Sequence, residues 1–516
     1  MNANAVLVAT GILLSRFAGL IRQRVFAHYF GIQSDAADAF SAAFRIPNFL
    51  QNLFGEGALS ASFIPVYASL VARDERRDAA DVAGAVAAIL AVVTSLLVLV
   101  GVLATPLLID LIAPGFNGAK RELTITLVRI LFPGAGLLVM SAWCLGILNS
   151  HHKFLLSYSA PVLWNVAMIA ALIGFGGSRT LSDLAVYLAW GSVAGSAIQF
   201  AVQLPVVRRL VPGLRLTLAS PSAHVRTVMR NFGPVFVSRG VVQISAYIDA
   251  LLASLLPTGA VAGLANAQLI YTLPVSLFGM SVSAAELPAM AGAAGVDNDR
   301  LRARLDAGLR QIAFFVVPSA VAFIALGDVI AGALLQTGRF TRDDSIYVWG
   351  ILAGSAVGLL ASTLGRLYSS TFYALRDTAT PLRFAVVRVA LTTVLGYFCA
   401  VRLPPLLALD LKWGTAGLTA SAGVAGWIEF LLLRHTIGQR LGATGIQPAT
   451  LARLWMSALI AAAASWGAKL AVGVSQPLLT AVAVLGTYGV LYLGLTITLG
   501  VPEARSALTK VLRRRG

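Results

Sequence analysis

The sequence predicts an all-α integral membrane protein, and three observations lead to that fold class. Residues of the AVILMFWYC set make up 58% of the 516 residues, charged residues only 12%, and the mean hydropathy is +0.82. Apolar windows of roughly 17–25 residues, the length that crosses a bilayer core, recur along the chain. Most Lys and Arg residues lie in the short gaps between these windows. That placement is typical of membrane-protein loops rather than of a nucleic-acid surface, so no nucleic-acid partner is expected.

About fourteen windows are long enough to span the membrane. They cover residues 4–30, 36–70, 82–112, 122–148, 153–176, 183–207, 226–256, 262–291, 305–327, 342–372, 379–401, 412–434, 450–472 and 478–500. The first two carry several charges and are interrupted by Gly19, Gly31 and Pro47. The apolar run 5–14 lacks a following small-residue cleavage pattern, which favours a retained first helix over a cleaved signal peptide.

The distribution of basic residues predicts the orientation of these helices. With the N-terminus in the cytoplasm, the cytoplasmic gaps and helix ends hold 24 of the 39 Lys and Arg residues, and the opposite side holds 9. Because positive charge accumulates on the cytoplasmic side, both termini are predicted to be cytoplasmic. The protein is therefore expected to be a multi-pass membrane protein whose gaps are too short for a soluble domain.

A weak internal repeat divides the helices into groups. Ser15-Arg16 corresponds to Ser238-Arg239 at a spacing of 223 residues, and Pro65 corresponds to Pro288 at the same spacing. Transporters are often built from repeated helical halves that enclose the substrate site. The sequence therefore predicts a six-helix lobe over 1–212, a second over 213–440, and two added helices with a basic tail over 441–516.

Arginines within the predicted helices are the strongest functional signal. Each costs roughly 2.5–3.5 kcal/mol at the centre of a membrane helix, so they are expected to face a hydrated cavity or paired acids. The set comprises Arg16, Arg22, Arg24, Arg45, Arg239 and Arg366. Guanidinium groups bind phosphate oxygens bidentately and stay protonated when dehydrated, so a cluster of them suits an anionic substrate. The alternative is that each arginine pairs with a nearby acid or reaches an interface.

Acids and amides within the helices leave further alternatives open. Five acids could hold a monovalent coupling ion, although a role as counterions for the arginines is favoured; they are Asp38, Glu56, Asp249, Glu286 and Glu429. Asn165 and Gln243 could bind sugar hydroxyls or join helices by hydrogen bonds. Cys144 and Cys399 lie in apolar stretches and are interpreted as packing residues. No enzyme, metal or cofactor motif is recognised, so none of these is expected.

Several motifs resemble the MurJ (MviN) family. The stretch from Arg45 to Ser60, RIPNFLQNLFGEGALS, continued by Phe63 to Tyr67, is similar to the most distinctive motif of that family. The stretch from Ser15 to Arg22, SRFAGLIR, resembles the first helix of the family. The stretch from Asp38 to Phe40 resembles the start of the second helix of the family. Weaker similarities occur at 113–116, 146–149, 243–245 and 373–381.

The resemblance implies a fold of the multidrug/oligosaccharidyl-lipid/polysaccharide exporter superfamily, with two six-helix lobes around a central cationic cavity. It implies a bacterial inner-membrane flippase for lipid II, the undecaprenyl-diphosphate-linked peptidoglycan precursor. The last two helices are implied to form a groove for the lipid tail. Arg16, Arg22, Asp38 and Glu56 fall on matching motif positions. Three positions depart from the family pattern, at Gln23, Gln51 and the pair Gln268-Leu269, so two expected cavity arginines are missing and Arg239 or Arg45 is expected to substitute.

These observations give one preferred mechanism and several alternatives. The chain is predicted to move its substrate by alternating access, with the membrane and the lipid-linked precursor as its partners. The predicted substrate-binding residues are Arg16, Arg22, Arg24, Asp38, Arg45, Asn48, Glu56, Asn165, Arg239, Gln243 and Arg366. The alternatives are a flippase for another lipid-linked glycan, a cation-coupled drug exporter, a scaffold for envelope assembly without transport, and a membrane glycosyltransferase.

Overall fold

A computed structural model describes residues 3–218, 222–293, 297–472 and 476–505, without the side chains of residues 3–9, 55–58, 61, 234–246 and 471–472. Helices account for nearly all of these ranges, and no β-strand occurs within them. The α-helices are α1 (Ala3–Phe30), α2 (Asp35–Ala43), α3 (Arg45–Gln51), α4 (Ser60–Ala72), α5 (Arg76–Leu103), α6 (Thr105–Ile112), α7 (Gly118–Ser150), α8 (Phe154–Phe175), α9 (Leu181–Leu210), α10 (Ala223–Ser254), α11 (Ala260–Pro274), α12 (Ser281–Ala293), α13 (Asn298–Ala325), α14 (Gly327–Leu335), α15 (Arg342–Ala374), α16 (Ala379–Tyr397), α17 (Leu403–Leu406), α18 (Gly414–Leu441), α19 (Pro448–Val472) and α20 (Pro477–Thr498).

Eleven helical stretches in the described ranges are long and apolar enough to cross a membrane. They coincide with eleven of the fourteen predicted windows, and the all-α membrane fold is confirmed. The other three windows correspond to α1, to the segmented run from α2 to α4, and to α10. The side chains of residues 3–9 in α1 and 234–246 in α10 are not described, and the run from α2 to α4 is broken into short helices, so the total of fourteen spans stays a prediction.

Proline and π-helical stretches interrupt two of the predicted spans in the same way. A π-helical stretch, Asn52–Leu59, separates α3 from α4, and another, Val275–Met280, separates α11 from α12. Both following helices contain an internal proline, Pro65 in α4 and Pro288 in α12. The two π-helical stretches begin 223 residues apart, which is the spacing of the sequence repeat. A π-helical turn inside an α-helix is often found at a functional site.

The spatial proximity of backbone segments divides the chain into two compact units. Unit 1 comprises Met1–Ala262 and Thr337–Phe340, and unit 2 comprises Gly263–Gln336 and Thr341–Gly516. The lobe boundaries drawn from the sequence, after residues 212 and 440, remain a prediction.

Unit 1 has a core that includes large buried side chains from the π-helical stretch Asn52–Leu59, α4 and α7. Phe54, Phe63, Tyr67 and Trp143 are each almost completely excluded from solvent. Burial of such apolar surface favours close helix packing both in the membrane and at its edge. At the end of α7 the hydroxyl of Tyr67 lies 2.9 Å from His151 Nε2, and this hydrogen bond fixes the turn into α8.

Unit 2 packs around α15, which lies against α18. A side chain at Gly358 would overlap the backbone of Gly423, so the two helices approach as closely as their backbones allow. Small residues serve this purpose in membrane helices, where association depends on close van der Waals contact.

The last two helices of unit 2 are joined to its other helices by polar contacts. Lys469 Nζ of α19 lies 2.6 Å from Asp328 Oδ2 of α14. In α20, Tyr492 donates to the carbonyl of Phe314 at 2.6 Å, and Tyr488 donates to the carbonyl of Pro318 at 2.8 Å. Because Pro318 has no N–H, the Phe314 carbonyl four residues earlier lacks its usual partner within α13. Tyr492 supplies that missing donor from another helix.

Candidate functional site

Arg22, in the second half of α1, is held by aromatic rings. Its guanidinium carbon lies 4.9 Å from the centre of the Phe44 ring and 5.8 Å from that of Trp164. Its Nη1 lies 4.0 Å from the sulfur of Met168. No carboxylate oxygen among the described side chains lies within ion-pair distance of it. Cation–π contacts leave the five N–H donors of a guanidinium able to bind an anion, whereas a salt bridge would occupy several of them.

The aromatic rings around Arg22 are themselves fixed by neighbouring helices. The Phe44 and Trp164 rings stack with centroids 5.4 Å apart and planes 15° from parallel. The indole Nε1 of Trp164 donates to both the carbonyl and the hydroxyl of Ser192 in α9, at 3.1 Å each. These contacts limit rotation of the indole, so the surface against which Arg22 lies is formed before any ligand arrives.

Asn165 lies beside this group on α8. Its Nδ2 donates to the carbonyl of Pro161 at 3.0 Å, and its buried Oδ1 has no hydrogen-bond partner among the described residues. Gly19 of α1 lies opposite, and a Cβ added there would lie 3.9 Å from Asn165 Oδ1, which is ordinary van der Waals contact. An unpaired buried carbonyl oxygen is costly, so it is suited to accept from a hydroxyl, an amide or water. Arg22 and Asn165, two of the predicted site residues, are therefore neighbours.

Arg45 lies in a different setting from Arg22. The hydroxyl of Tyr247 donates to the backbone carbonyl of Arg45 at 2.8 Å. The charged group of Arg45 interacts electrostatically with Asp249 of α10. Part of its charge is therefore balanced by an acid within unit 1.

Asp38 is a structural anchor. Its side chain is 1% exposed and accepts from Lys120 Nζ at 2.6 Å. The backbone N–H groups of Gly259 and Ala262 donate to its two carboxylate oxygens at 2.9 and 2.8 Å. A carboxylate in this position accepts hydrogen bonds from the backbone N–H groups at the start of a helix, here α11, which have no partner within the helix. All of its contacts are internal, which favours a role in helix geometry over direct contact with a substrate.

Arg366 belongs to a second group of charges, in unit 2. Its side chain on α15 is exposed, and it interacts electrostatically with Tyr271, Arg388 and Glu429. Arg388 Nε of α16 lies 3.3 Å from Glu429 Oε2 of α18. The group thus contains two arginines and one acid.

The remaining predicted site residues are scattered or lie outside the description. Arg16 is exposed on α1, Arg24 is half-buried there, and Asn48 is half-buried on α3. The side chains of Glu56, Arg239 and Gln243 are not among those described, so substitution of Arg239 for a missing arginine stays a prediction. The structure brings together Arg22 with Asn165, and Arg366 with Glu429.

Three of the five acids considered for a coupling ion form ion pairs with basic side chains. Asp38 pairs with Lys120, Glu429 with Arg388, and Glu286 with Arg304 at 3.3 Å. These contacts favour the interpretation of the acids as counterions.

Sequence reasoning missed three residues of these groups. Trp164 adjoins Asn165 in the sequence, but nothing in the pattern marks its ring as a partner of Arg22. Arg388 is not among the predicted site residues, although it lies nine residues inside α16. The pairing of Lys120 with Asp38 joins positions 82 residues apart.

A group of possible metal ligands, Glu75, Asp78 and His224, also comes together at the surface, where exposed acids commonly occur without a metal.

Comparison with known proteins agrees with this architecture. A family profile described as "Lipid II flippase MurJ" matches residues 26–490. The chain is 32% identical over 437 residues to "Lipid II flippase MurJ" of Burkholderia cenocepacia, covering 83% of this chain and 82% of that protein. It is 28% identical over 523 residues to "Probable lipid II flippase MurJ" of Vibrio cholerae, with 96% of both chains covered.

Solved structures show the same fold. One described as "Lipid II flippase MurJ, inward closed conformation" superposes with a TM-score of 0.78 at 23% identity, covering 96% of this chain and 98% of that chain. An inward-facing MATE family transporter of the MOP superfamily superposes with a TM-score of 0.66 at 18% identity, over 84% of this chain and 98% of that chain. From the extent of the profile match and the identity to its curated relatives, the chain belongs to the lipid II flippase MurJ family.

Proposed function

We propose that this chain moves lipid II from the cytoplasmic to the outer leaflet of the bacterial inner membrane, with both termini in the cytoplasm. Family membership supports the substrate class, and the charge distribution supports the orientation. The proposal excludes covalent chemistry: the chain binds and releases its cargo unchanged. Alternating access, by which the site opens first to one side and then to the other, is the mechanism that the family fold favours.

The environment of Arg22 is the observation that carries the proposal. A guanidinium in a membrane helix without a paired carboxylate retains its charge and its donors for a ligand. The diphosphate of lipid II offers oxygens of matching geometry, since two parallel N–H···O contacts to one phosphate are the favoured arrangement. Asn165, with its unpartnered carbonyl oxygen, is suited to accept from a sugar hydroxyl or an amide of the same head group.

Complementation of a strain depleted of its lipid II flippase tests the proposal. Wild type is expected to rescue growth, whereas Arg22→Ala, present in the membrane at the same level, is expected to fail. Arg22→Lys should rescue weakly, because an ammonium retains the charge but loses the bidentate geometry. Arg208→Ala is the matched control, since Arg208 is exposed in the last turn of α9. Full rescue by Arg22→Ala would contradict the assigned site.

A second candidate cargo is a different lipid-linked glycan. Gln51 and Leu269 stand where cavity arginines are expected from the family pattern, and fewer arginines suit a head group of lower negative charge. Wild-type protein that reaches the membrane, fails to rescue the depleted strain, and yet moves a polyprenyl-linked sugar in vesicles would favour this second candidate. A drug exporter is disfavoured because three of the acids that could bind a cationic drug, Asp38, Glu286 and Glu429, already pair with basic residues.

A further inference from the structure

The group around Arg366 lies deep within the membrane-spanning part of unit 2. Arg366 is eight residues from the end of α15, Arg388 nine residues from the start of α16, and Glu429 twelve residues from the end of α18. At 1.5 Å per residue these positions are about 12–18 Å from the helix ends. The three ends lie on one side, because Arg440 Nη2 in the last turn of α18 is 2.7 Å from Asp377 Oδ2 in the loop between α15 and α16.

The charges of this group do not balance. Glu429 neutralises Arg388, with their side chains 15% and 34% exposed. Arg366 has no carboxylate oxygen within ion-pair distance in the part of the chain that the structure describes, and its side chain is exposed. An unbalanced arginine at this depth is unfavourable by roughly 2.5–3.5 kcal/mol on insertion scales unless water or an anion compensates it. A group that only joined helices would need no second arginine.

We propose that Arg366 and Arg388 form an anion-binding site in unit 2 for the phosphate group of a lipid head, with Glu429 as an internal competitor. With no ligand present, Glu429 occupies Arg388. An arriving phosphate displaces that carboxylate and is held by both guanidinium groups, which favour bidentate contacts with phosphate oxygens. Glu429 thereby weakens binding enough for the ligand to leave again. No bond is made or broken in this exchange.

The lipid that carries the phosphate has two possible sources. It is either the polyprenyl-linked cargo, in which case the identity of the ligand rests on the proposed function, or an anionic phospholipid of the surrounding membrane. Both lipids carry a phosphate group at the end of an apolar chain. The site itself follows from the geometry of unit 2 and does not depend on transport.

Direct binding to the purified full-length protein in detergent tests the site. The probes are undecaprenyl phosphate, phosphatidylglycerol and, for the phosphate alone, inorganic phosphate, each titrated and counted by native mass spectrometry. Arg366→Gln and Arg388→Gln are expected to weaken binding of the lipid probes about tenfold. Glu429→Gln is expected to strengthen it several-fold, because the competing carboxylate is gone. Arg383→Gln is the matched control, since Arg383 is an exposed arginine near the start of the same helix α16.

The opposite effects expected on lipid binding, weaker for the arginine variants and stronger for Glu429→Gln, distinguish a binding site from a structural ion pair. If Arg388 and Glu429 only join α16 to α18, both substitutions should lower the melting temperature alike and neither should strengthen binding, which would overturn the proposal. Unchanged binding of both lipids in Arg366→Gln would overturn it as well. Preference for undecaprenyl phosphate over phosphatidylglycerol would support the cargo as ligand, and equal binding would support the bulk phospholipid. Because binding is measured without transport, failed complementation by wild type would refute the proposed function and leave this result intact.

Discussion

At the scale of single residues, the aromatic surface under Arg22 is the feature with the clearest functional consequence. A guanidinium resting on two rings keeps its orientation while its edge remains open to a ligand. The indole of Trp164 is held by Ser192 and lies against Arg22. If Arg22 binds the substrate as proposed, Trp164 is expected to act as a positioning residue for it.

Substitution of Trp164 separates positioning from packing. Trp164→Phe keeps a ring but loses the hydrogen bonds to Ser192, and a moderate loss of flipping, about threefold to tenfold, is expected. Trp164→Ala should reduce flipping about as much as Arg22→Ala. The double variant should be no worse than either, because both changes remove the same interaction between the ring and the guanidinium. Flipping measured in vesicles at matched protein amounts checks this. Additive losses in the double variant would show that Trp164 acts independently of Arg22.

Asp377, in the loop between α15 and α16, gives a pH-dependent prediction. Hydrogen bonds from the backbone N–H and hydroxyl of Thr380 lower the pKa of Asp377 to about 2, and Arg440 contributes further. Because the pKa in the folded protein lies below the ordinary value of 3.8, the stabilisation is fully present above about pH 4 and is lost as pH falls toward 2. The melting temperature of wild type should therefore drop more than that of Asp377→Asn between pH 5 and pH 3. If the melting temperatures of the two proteins fall equally with pH, the stabilising role of the Asp377 carboxylate is contradicted.

At the scale of helices, a hydrogen bond from α20 replaces one that is missing within α13 because of Pro318. Tyr492→Phe removes the donor to the Phe314 carbonyl while leaving the ring in place. A buried carbonyl left without a partner is unfavourable by about 1–3 kcal/mol. A lower melting temperature in detergent is expected. Tyr397→Phe, on the exposed side of α16, is the control, and an equal effect of both would argue against a specific role for the Tyr492 hydroxyl.

The helices could largely be predicted from the sequence, whereas the contacts between them could not. Apolar windows locate a helix because the bilayer sets its length, and Pro47 lies close to the break between α2 and α3 in the second predicted span. The pairing of Arg388 with Glu429, in contrast, depends on which faces of α16 and α18 meet. Nor does spacing along the chain show that Trp164 would lie under Arg22. Side-chain partners of this kind depend on tertiary packing, which periodicity does not determine.

At the scale of the whole molecule, the pairing of the intramembrane acids bears on how transport is driven. With Asp38, Glu286 and Glu429 next to basic groups, the membrane potential is the simplest remaining source of energy. An anionic head group that moves outward across an inside-negative membrane gains about 2.3 kcal/mol per charge for each 100 mV. Flipping in vesicles that hold a K⁺ diffusion potential set by valinomycin should therefore slow when the K⁺ concentrations on the two sides are made equal at constant Na⁺. If the rate depends on Na⁺ and is unaffected by the potential, a coupling ion drives transport instead.

The bond from Tyr492 to Phe314 has a consequence for how helices can be gained or lost in related chains. Pro318 can be accommodated in α13 because a later helix completes its hydrogen bonding, so the proline and the tyrosine form a dependent pair. A relative that ends before α19 should have a residue other than proline at this point, or another side chain that donates to the same carbonyl. By the same reasoning, a shortened version of this chain that ends after α18 should fold better once Pro318 is replaced by Ala, which restores the missing N–H within the helix itself.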